Sequence, residues 1–351
     1  MRTVWLAGLL TLLLAAFTPV LAQQDLPPPA PGEQPQGVQE LGRSRAPSDI
    51  WRDIKRGEEG FNTLPKPMAG TLIQSGGESW RLVRNGPYPR YSAYAILGIL
   101  ALLALFFALR GRIRIEEGRA GVRIRRFGEL ERFTHWMTAV CFIVLALTGL
   151  NLMFGRQLVL PLIGKDLYAD ITMTGKYLHN YLAFGFILGI VMMFVLWIRY
   201  NLPSRHDLTW IMKGGGFFGG GHPPASKFNF GQKIVFWAVV LLGLSLTLSG
   251  IELLFPFRFE LFSDTFGLLG GLGLPVPTEL SPVAELQLAS LWHGAVGVLL
   301  TVVIIGHIYI GTLGMEGAFD AMGSGRVDLN WAREHHSIWA DEVEAKRAPA
   351  E

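Results

Sequence analysis

The sequence predicts an all-α integral membrane protein: a four-helix transmembrane bundle, one extra N-terminal transmembrane helix and a cleavable signal peptide. Three observations predict it. Half of the residues are hydrophobic and only 17% are charged, below the roughly 25% usual for soluble domains. Five apolar runs follow the first ninety residues, each near the ~20 residues needed to cross the hydrocarbon. Lys and Arg crowd into alternate loops between those runs. The net charge of +3 decides nothing by its size. The basic residues are not interleaved with aromatics on a soluble domain, so nothing argues for a nucleic-acid partner.

Residues 1–22 have an early Arg2, an apolar stretch from Val4 and the small-residue ending Val20-Leu21-Ala22. That is the layout of a secretory signal peptide. Residues 23–91 then form a periplasmic segment. Up to about Ser48 it is too rich in Pro and polar residues to make a core and reads as a disordered tether. From Phe61 to Tyr91, apolar residues alternate with turn signals, and the expectation is a small ordered element such as a hairpin. The extra transmembrane helix is placed at 92–109 and a cytoplasmic linker at 110–132. The four-helix domain covers 133–315, with apolar runs at Phe133–Phe154, Tyr177–Ile198, Lys233–Phe255 and Leu288–Leu313. A cytoplasmic tail, 316–351, closes the chain.

The loops orient these spans. Residues 110–132 hold eight Lys and Arg and residues 199–233 hold five, against three in 155–176 and one in 256–287. Positive charge favours the cytoplasmic side, which puts the rich loops and the C-terminus inside a bacterial cytoplasmic (inner) membrane. The signal peptide, exporting 23–91, gives the same answer independently.

A single cysteine, Cys141, excludes an internal disulfide, a cysteine-ligated iron–sulfur cluster within this chain and a C-x-x-C-H site for covalent haem. Its apolar surroundings make it a small buried thiol. The histidines carry more. Of eight, four lie in the apolar runs: His135, His179, His293 and His307. Ionisable groups there are costly and usually functional. They sort into two depths, His179 with His293 at the periplasmic side and His135 with His307 at the cytoplasmic side. His293 and His307 are fourteen residues apart, a rise of ~21 Å that returns to within ~40° of one helix face. Two neutral imidazoles across a bundle are the axial set of a six-coordinate haem. The set therefore reads as two non-covalent b-type haems, with interhelical hydrogen bonding as the plainer alternative. Gly149, Gly185, Gly189, Gly294, Gly297 and Gly306 flank these positions. They would admit a flat macrocycle or simply let helices pack closely.

Five stretches then coincide with one family: "RFTHW" (132–136), "GKYLHNYLAFGF" (175–186), "KFNFGQKIVFW" (227–237), "LWHGAVGVLLTVVIIGHIYIG" (291–311) and "GRVDLNWAREHHSIW" (325–339). They resemble the cytochrome b (gamma) subunit of respiratory formate dehydrogenase. The resemblance runs from about Arg126 to Trp339. The extra helix and exported segment resemble an extended form of that subunit. It implies that His179 and His293 ligate a periplasmic haem iron and His135 and His307 a cytoplasmic one. It also implies a quinone site at Asn229, Gly231 and Gln232, with His307 close by. From the residues alone, Asn229 could equally be a helix cap. The implied partners are a molybdenum- or tungsten-containing catalytic subunit, where formate is oxidised, an iron–sulfur beta subunit and quinone. This chain would carry no catalytic residue of its own. Electrons would pass from the outer haem to the inner haem and on to quinone.

Other readings stay open. The same architecture serves cytochromes b of nickel–iron hydrogenases and thiosulfate reductases, or a non-haem membrane anchor. A transporter lacks the expected paired broken helices. Arg132 and Lys176, each three residues before a histidine, would pair haem propionates or anchor in headgroups. Glu252 is a polar helix end or a proton-handling group. The adjacent His335 and His336 are expected in surface contacts. The glycine-rich stretch 213–222 is expected to be a flexible loop, because it lacks the ending of a phosphate-binding loop.

Overall fold

A computed structural model describes residues 75–216, 221–277 and 280–346, with short stretches at 48, 51–52, 60–61 and 71–73. The signal peptide and most of the tether lie outside the described residues. Five helices are long and apolar enough to cross a membrane, over Gly77–Arg110, Glu129–Leu158, Lys165–Tyr200, Phe230–Leu254 and Pro282–Gly314. Their outward Leu, Val and Phe side chains suit lipid. The protein is thus a helical membrane bundle.

In chain order, strands β1 (Gly60–Phe61) and β2 (Thr71–Ile73) pair antiparallel. Helix α1 (Ser75–Asn85) and helix α2 (Pro87–Arg110) follow. The hairpin expected across 61–91 is therefore confined to its first part. Its second part is helical, and α2 begins five residues before the apolar run. Pro87 fits there because the first helical turn needs no partner for its nitrogen. After β3 (Arg123–Arg125) come α3 (Glu129–Leu158), α4 (Lys165–Trp197), α5 (Arg205–Met212), α6 (Phe230–Leu254), α7 (Leu261–Gly271) and α8 (Pro282–Tyr309). The tail is ordered as β4 (Arg326–Asp328), α9 (Leu329–His335) and α10 (Ser337–Ala345).

The chain forms two compact units. One comprises residues 92–247 and 294–351. In it, α3 and α4 approach closely because Gly185 and Gly189 have no side chain. A Cβ on Gly185 would lie 2.9 Å from Cys141 Sγ, and one on Gly189 would run into Thr138. These two glycines serve helix packing, the plainer of their expected roles. Phe142, Phe186, Ile190, Met193, Val239, Val240 and Leu300 continue this core.

At the Arg-rich side of the same unit, β3 pairs antiparallel with β4, Ile124 facing Val327. Both are fully buried, with Phe127, Trp197, Phe228, Trp331 and Trp339 around them. The Arg126 guanidinium stacks 5.2–5.3 Å from the Phe127, Trp331 and Trp339 rings and donates to the Lys227 carbonyl at 2.6 Å. Burial pushes Arg126 down to about 9, with Glu131 opposing, so it remains a cation at neutral pH. His336 is only 1% exposed, with Nδ1 2.8 Å from the Ser226 carbonyl. It is a core residue and not the surface contact expected from its place in a polar tail.

The other unit comprises residues 1–91 and 248–293. Its described core is Phe266, Leu288 and Leu291, with Trp80, Val83, Phe262 and Trp292 against them. The buried Glu285 carboxylate accepts from Phe262 N, Ser263 N and Ser263 Oγ, satisfying the first turn of α7. Glu252 is completely buried. It lies two residues before the end of α6.

Asp328 ties the tail down. Its carboxylate caps α9 through Asn330 N at 3.0 Å and accepts from Ala120 N and Gly121 N, both at 3.1 Å. A lost cap costs about 1 kcal/mol, and a hydrogen bond to a charged group about 1.5–3 kcal/mol. Asp328→Ala should therefore lower stability by about 2 kcal/mol or more, read as a lower thermal midpoint in detergent. Asp328→Asn, which can still cap, should recover part of it. An unchanged midpoint for the alanine variant would reject this account.

Candidate functional site

The four membrane histidines lie on three helices: His135 on α3, His179 on α4, and His293 and His307 on α8. An imidazole inside an apolar bundle has no water to bond, so its neighbours decide its tautomer and direction. His135 and His307 are brought together, with ring centroids 6.1 Å apart and planes 60° to each other. Two metal–nitrogen bonds of about 2 Å each, plus half a ring on each side, come to roughly this length. The buried His135 Nδ1 has no hydrogen-bond partner.

His179 and His293 are each fixed by neighbours in their own unit, and in the same manner. Thr148 Oγ1 lies 2.8 Å from His179 Nδ1, and Ser249 Oγ lies 3.0 Å from His293 Nδ1. The Thr148 hydroxyl also donates to the Val144 carbonyl at 2.8 Å, so it accepts from the imidazole N–H. The residue after each hydroxyl is a glycine. A Cβ on Gly149 would lie 3.6 Å from His179 Cε1, and one on Gly250 3.2 Å from His293 Cε1. Each hydroxyl–glycine pair binds one ring nitrogen and leaves room for the ring edge. A metal held by these rings would be met by Nε2. The arrangement fits axial ligation of a haem iron.

Sequence reasoning missed Thr148, Ser249 and Gly250. The signal was present as Leu147-Thr148-Gly149 and Leu248-Ser249-Gly250, the same tripeptide type in two spans. It was indistinct because Ser and Thr commonly bond their own helix, as Thr134, Thr138 and Thr301 do here.

At the start of α6, Asn229 and Gln232 cap reciprocally. Gln232 N donates to Asn229 Oδ1 at 2.9 Å, and Asn229 N to Gln232 Oε1 at 3.1 Å. Arg126 Nη2 also reaches Gln232 Oε1, at 3.4 Å. A Cβ on Gly231 would crowd Trp210 Cη2 at 3.1 Å, which accounts for the glycine. Both capping bonds use the side-chain oxygens, so the amide N–H groups remain as the donors such a site can offer.

The two flanking cations have local partners. Arg132 bonds the Met322 and Gly323 carbonyls, Nε to Met322 O at 3.1 Å, and Trp136 Nε1 donates to the same Met322 oxygen. Arg132 thereby joins α3 to the tail. Lys176 Nζ bonds Asn180 Oδ1 at 2.9 Å.

Comparison with known proteins gives a consistent result. A model of the prokaryotic cytochrome b561 family matches residues 126–325. This span covers α3, α4, α6 and α8 and stops short of α2. The formate dehydrogenase cytochrome b556(fdo) subunit of Escherichia coli (strain K12) is 30% identical over 229 residues, 63% of this chain and 93% of that protein. The nitrate-inducible formate dehydrogenase cytochrome b556(Fdn) subunit of the same strain is 25% identical over 226 residues, 63% and 92%. The formate dehydrogenase cytochrome b556 subunit of Haemophilus influenzae is 26% identical over 226 residues, 62% and 82%.

Outer-shell partners of a metal-bound imidazole typically contribute 10–100-fold in affinity. Thr148→Val and Ser249→Ala should each lower b-haem retention by about tenfold. The check is the haem-to-protein ratio after purification, and the low-spin electron paramagnetic resonance signal should shift in whatever haem remains. Unchanged ratios and signals in both variants would remove the hydroxyls from this role.

Proposed function

Because this chain belongs to the prokaryotic cytochrome b561 family, we propose that it is the membrane cytochrome b subunit of a formate dehydrogenase. It would deliver electrons from formate oxidation at the periplasmic side, through two b-type haems, to quinone. The observation that carries this reading is the 6.1 Å pairing of the His135 and His307 rings on two membrane-length helices. The names of the relatives supply the formate partner. Formate oxidation is assigned to a separate molybdenum- or tungsten-containing subunit, with an iron–sulfur subunit between it and this chain.

The chain's own residues would do four things. His135 and His307 would hold one haem iron on the Arg-rich, cytoplasmic side, and the family resemblance assigns His179 and His293 to the other. Thr148 and Ser249 keep the outer imidazoles in the Nδ1–H tautomer and aimed. The apolar packing of α3, α4, α6 and α8 excludes water, lowering the local dielectric around each site. The amides of Asn229 and Gln232 donate to a quinone carbonyl at the mouth of the Arg-rich side. Bound haem supplies one-electron transfer; the protein supplies ligation, orientation and dielectric. Electrons moving inward while protons are taken up inside would build the membrane potential.

The test is a difference spectrum of the native complex, solubilised without oxygen. Formate should reduce its b haem rapidly, and quinone should then reoxidise it. Reduction by dithionite but not by formate, in an intact complex, would reject the formate partner. A folded, colourless preparation would reject the reading of the histidines. His307→Ala should keep formate-driven reduction of the outer haem and lose reoxidation by quinone. The reverse pattern would invert the proposed orientation.

A further inference from the structure

We propose that the cavity at the end of α2 binds the phosphate of an anionic phospholipid headgroup. This inference rests on membrane insertion alone and not on the haem or formate reading. The cavity has a volume of about 470 Å³, and Arg110, Arg112, Arg114, Glu116, His222 and His335 are among its walls.

The segment that carries the arginines is extended and pinned. Ile113 N donates to the Gly314 carbonyl and Glu316 N to the Ile113 carbonyl, both at 2.8 Å. Ile113 and Ile115 are buried, whereas Arg112 and Arg114 are exposed. A two-residue repeat thus aligns the cationic side chains along one side. Neighbouring arginines are paired: Arg119 with Glu316 at 3.3 Å and Arg123 with Asp320 at 3.7 Å. Among the described residues, Arg112 and Arg114 have no ion-pair partner. Unneutralised guanidinium charge is therefore concentrated at the cavity.

The inner wall is also prepared for an acceptor. His335 Nε2 is buried without a hydrogen-bond partner. The His222 ring meets it edge-on at 5.8 Å, and His222 Nε2 lies 3.2 Å from Glu116 Oε2. Burial, with His222 and Arg126 adding to it, pushes His335 down to about 4, so it is neutral at physiological pH and can donate one N–H. Phosphate matches this set: guanidinium forks bind its oxygens in pairs.

The depth favours a lipid source. Arg110 is the last residue of α2, whose outward side chains are apolar. The cavity therefore opens where hydrocarbon gives way to headgroups, and basic cavities at this level recognise anionic lipid. Glu116 and the C-terminal end of α2 oppose an anion, but the two guanidinium groups of Arg112 and Arg114 outweigh them.

The native complex, in mild detergent and phosphate-free buffer, would be titrated with labelled phosphatidylglycerol and, separately, with inorganic phosphate. Wild type should bind phosphatidylglycerol. The double variant Arg112→Gln/Arg114→Gln should bind it about tenfold or more weakly, as loss of charge-assisted hydrogen bonds requires. Arg119→Gln, outside the cavity, should be unchanged. Glu116→Gln should bind more tightly, a gain that unfolding cannot imitate. Equal binding by wild type and the double variant would overturn the site. Binding of inorganic phosphate but not phosphatidylglycerol, with the same arginine dependence, would overturn the lipid source.

Discussion

An imidazole in a membrane-spanning helix has two nitrogens and little water to satisfy them. Its proton must go to a protein atom, and whatever takes that proton decides which nitrogen remains for chemistry. Much of the arrangement here follows from that requirement. His179 and His293 each have a hydroxyl on Nδ1 and a glycine at the ring edge, supplied by consecutive residues of a neighbouring helix. At Gly250 an added Cβ would crowd the ring at 3.2 Å, so the glycine eases the approach of Ser249, whereas at Gly149 it would make an ordinary contact at 3.6 Å. Where α3 and α4 meet, small residues line the crossing: Gly189 lies against Thr138, Gly185 against Cys141, and Gly175 beside Thr148, where a Cβ would sit 3.4 Å from Thr148 Cγ2.

The Arg-rich side solves a different problem. There the chain must close a bundle with polar loops, and it does so with a buried cation. Arg126 is surrounded by three aromatic rings, with one amino group on the Lys227 carbonyl and Gln232. It links β3, the start of α6 and the tail helices through a single side chain. A long cation with a flat, weakly hydrated face can do this, whereas lysine would need to be solvated at its tip. The same contact places Arg126 beside the Asn229–Gln232 cap. The cap and the proposed quinone donors are thus the same two side chains, used at different atoms.

How much could be read from the chain depended on the range of each interaction. The membrane class and the five spans follow from run length, because lipid imposes a length on every helix independently of its neighbours. The four histidines stood out because a titratable group in an apolar run is anomalous by itself. Thr148 and Ser249 did not stand out, since a hydroxyl in a membrane helix ordinarily bonds its own backbone. His336 was misread for a related reason: a polar tail implies exposure, whereas His336 is buried against Ser226, distant in sequence. Helix α7 and the tail elements escaped notice because short amphipathic pieces give little periodicity, and their order comes from Glu285, Asp328 and Arg126.

The sequence by itself determined the class, the number and rough extent of the membrane helices, and which side chains were candidates for ligation. These depend on transfer of each segment into lipid, which is a local property. The tertiary structure decided which hydroxyl holds His179 and which holds His293, that His135 faces His307 at 6.1 Å, and that Asn229 and Gln232 cap α6 with their oxygens. Those choices depend on distances between helices, and the distances are set by which small residues meet at each crossing.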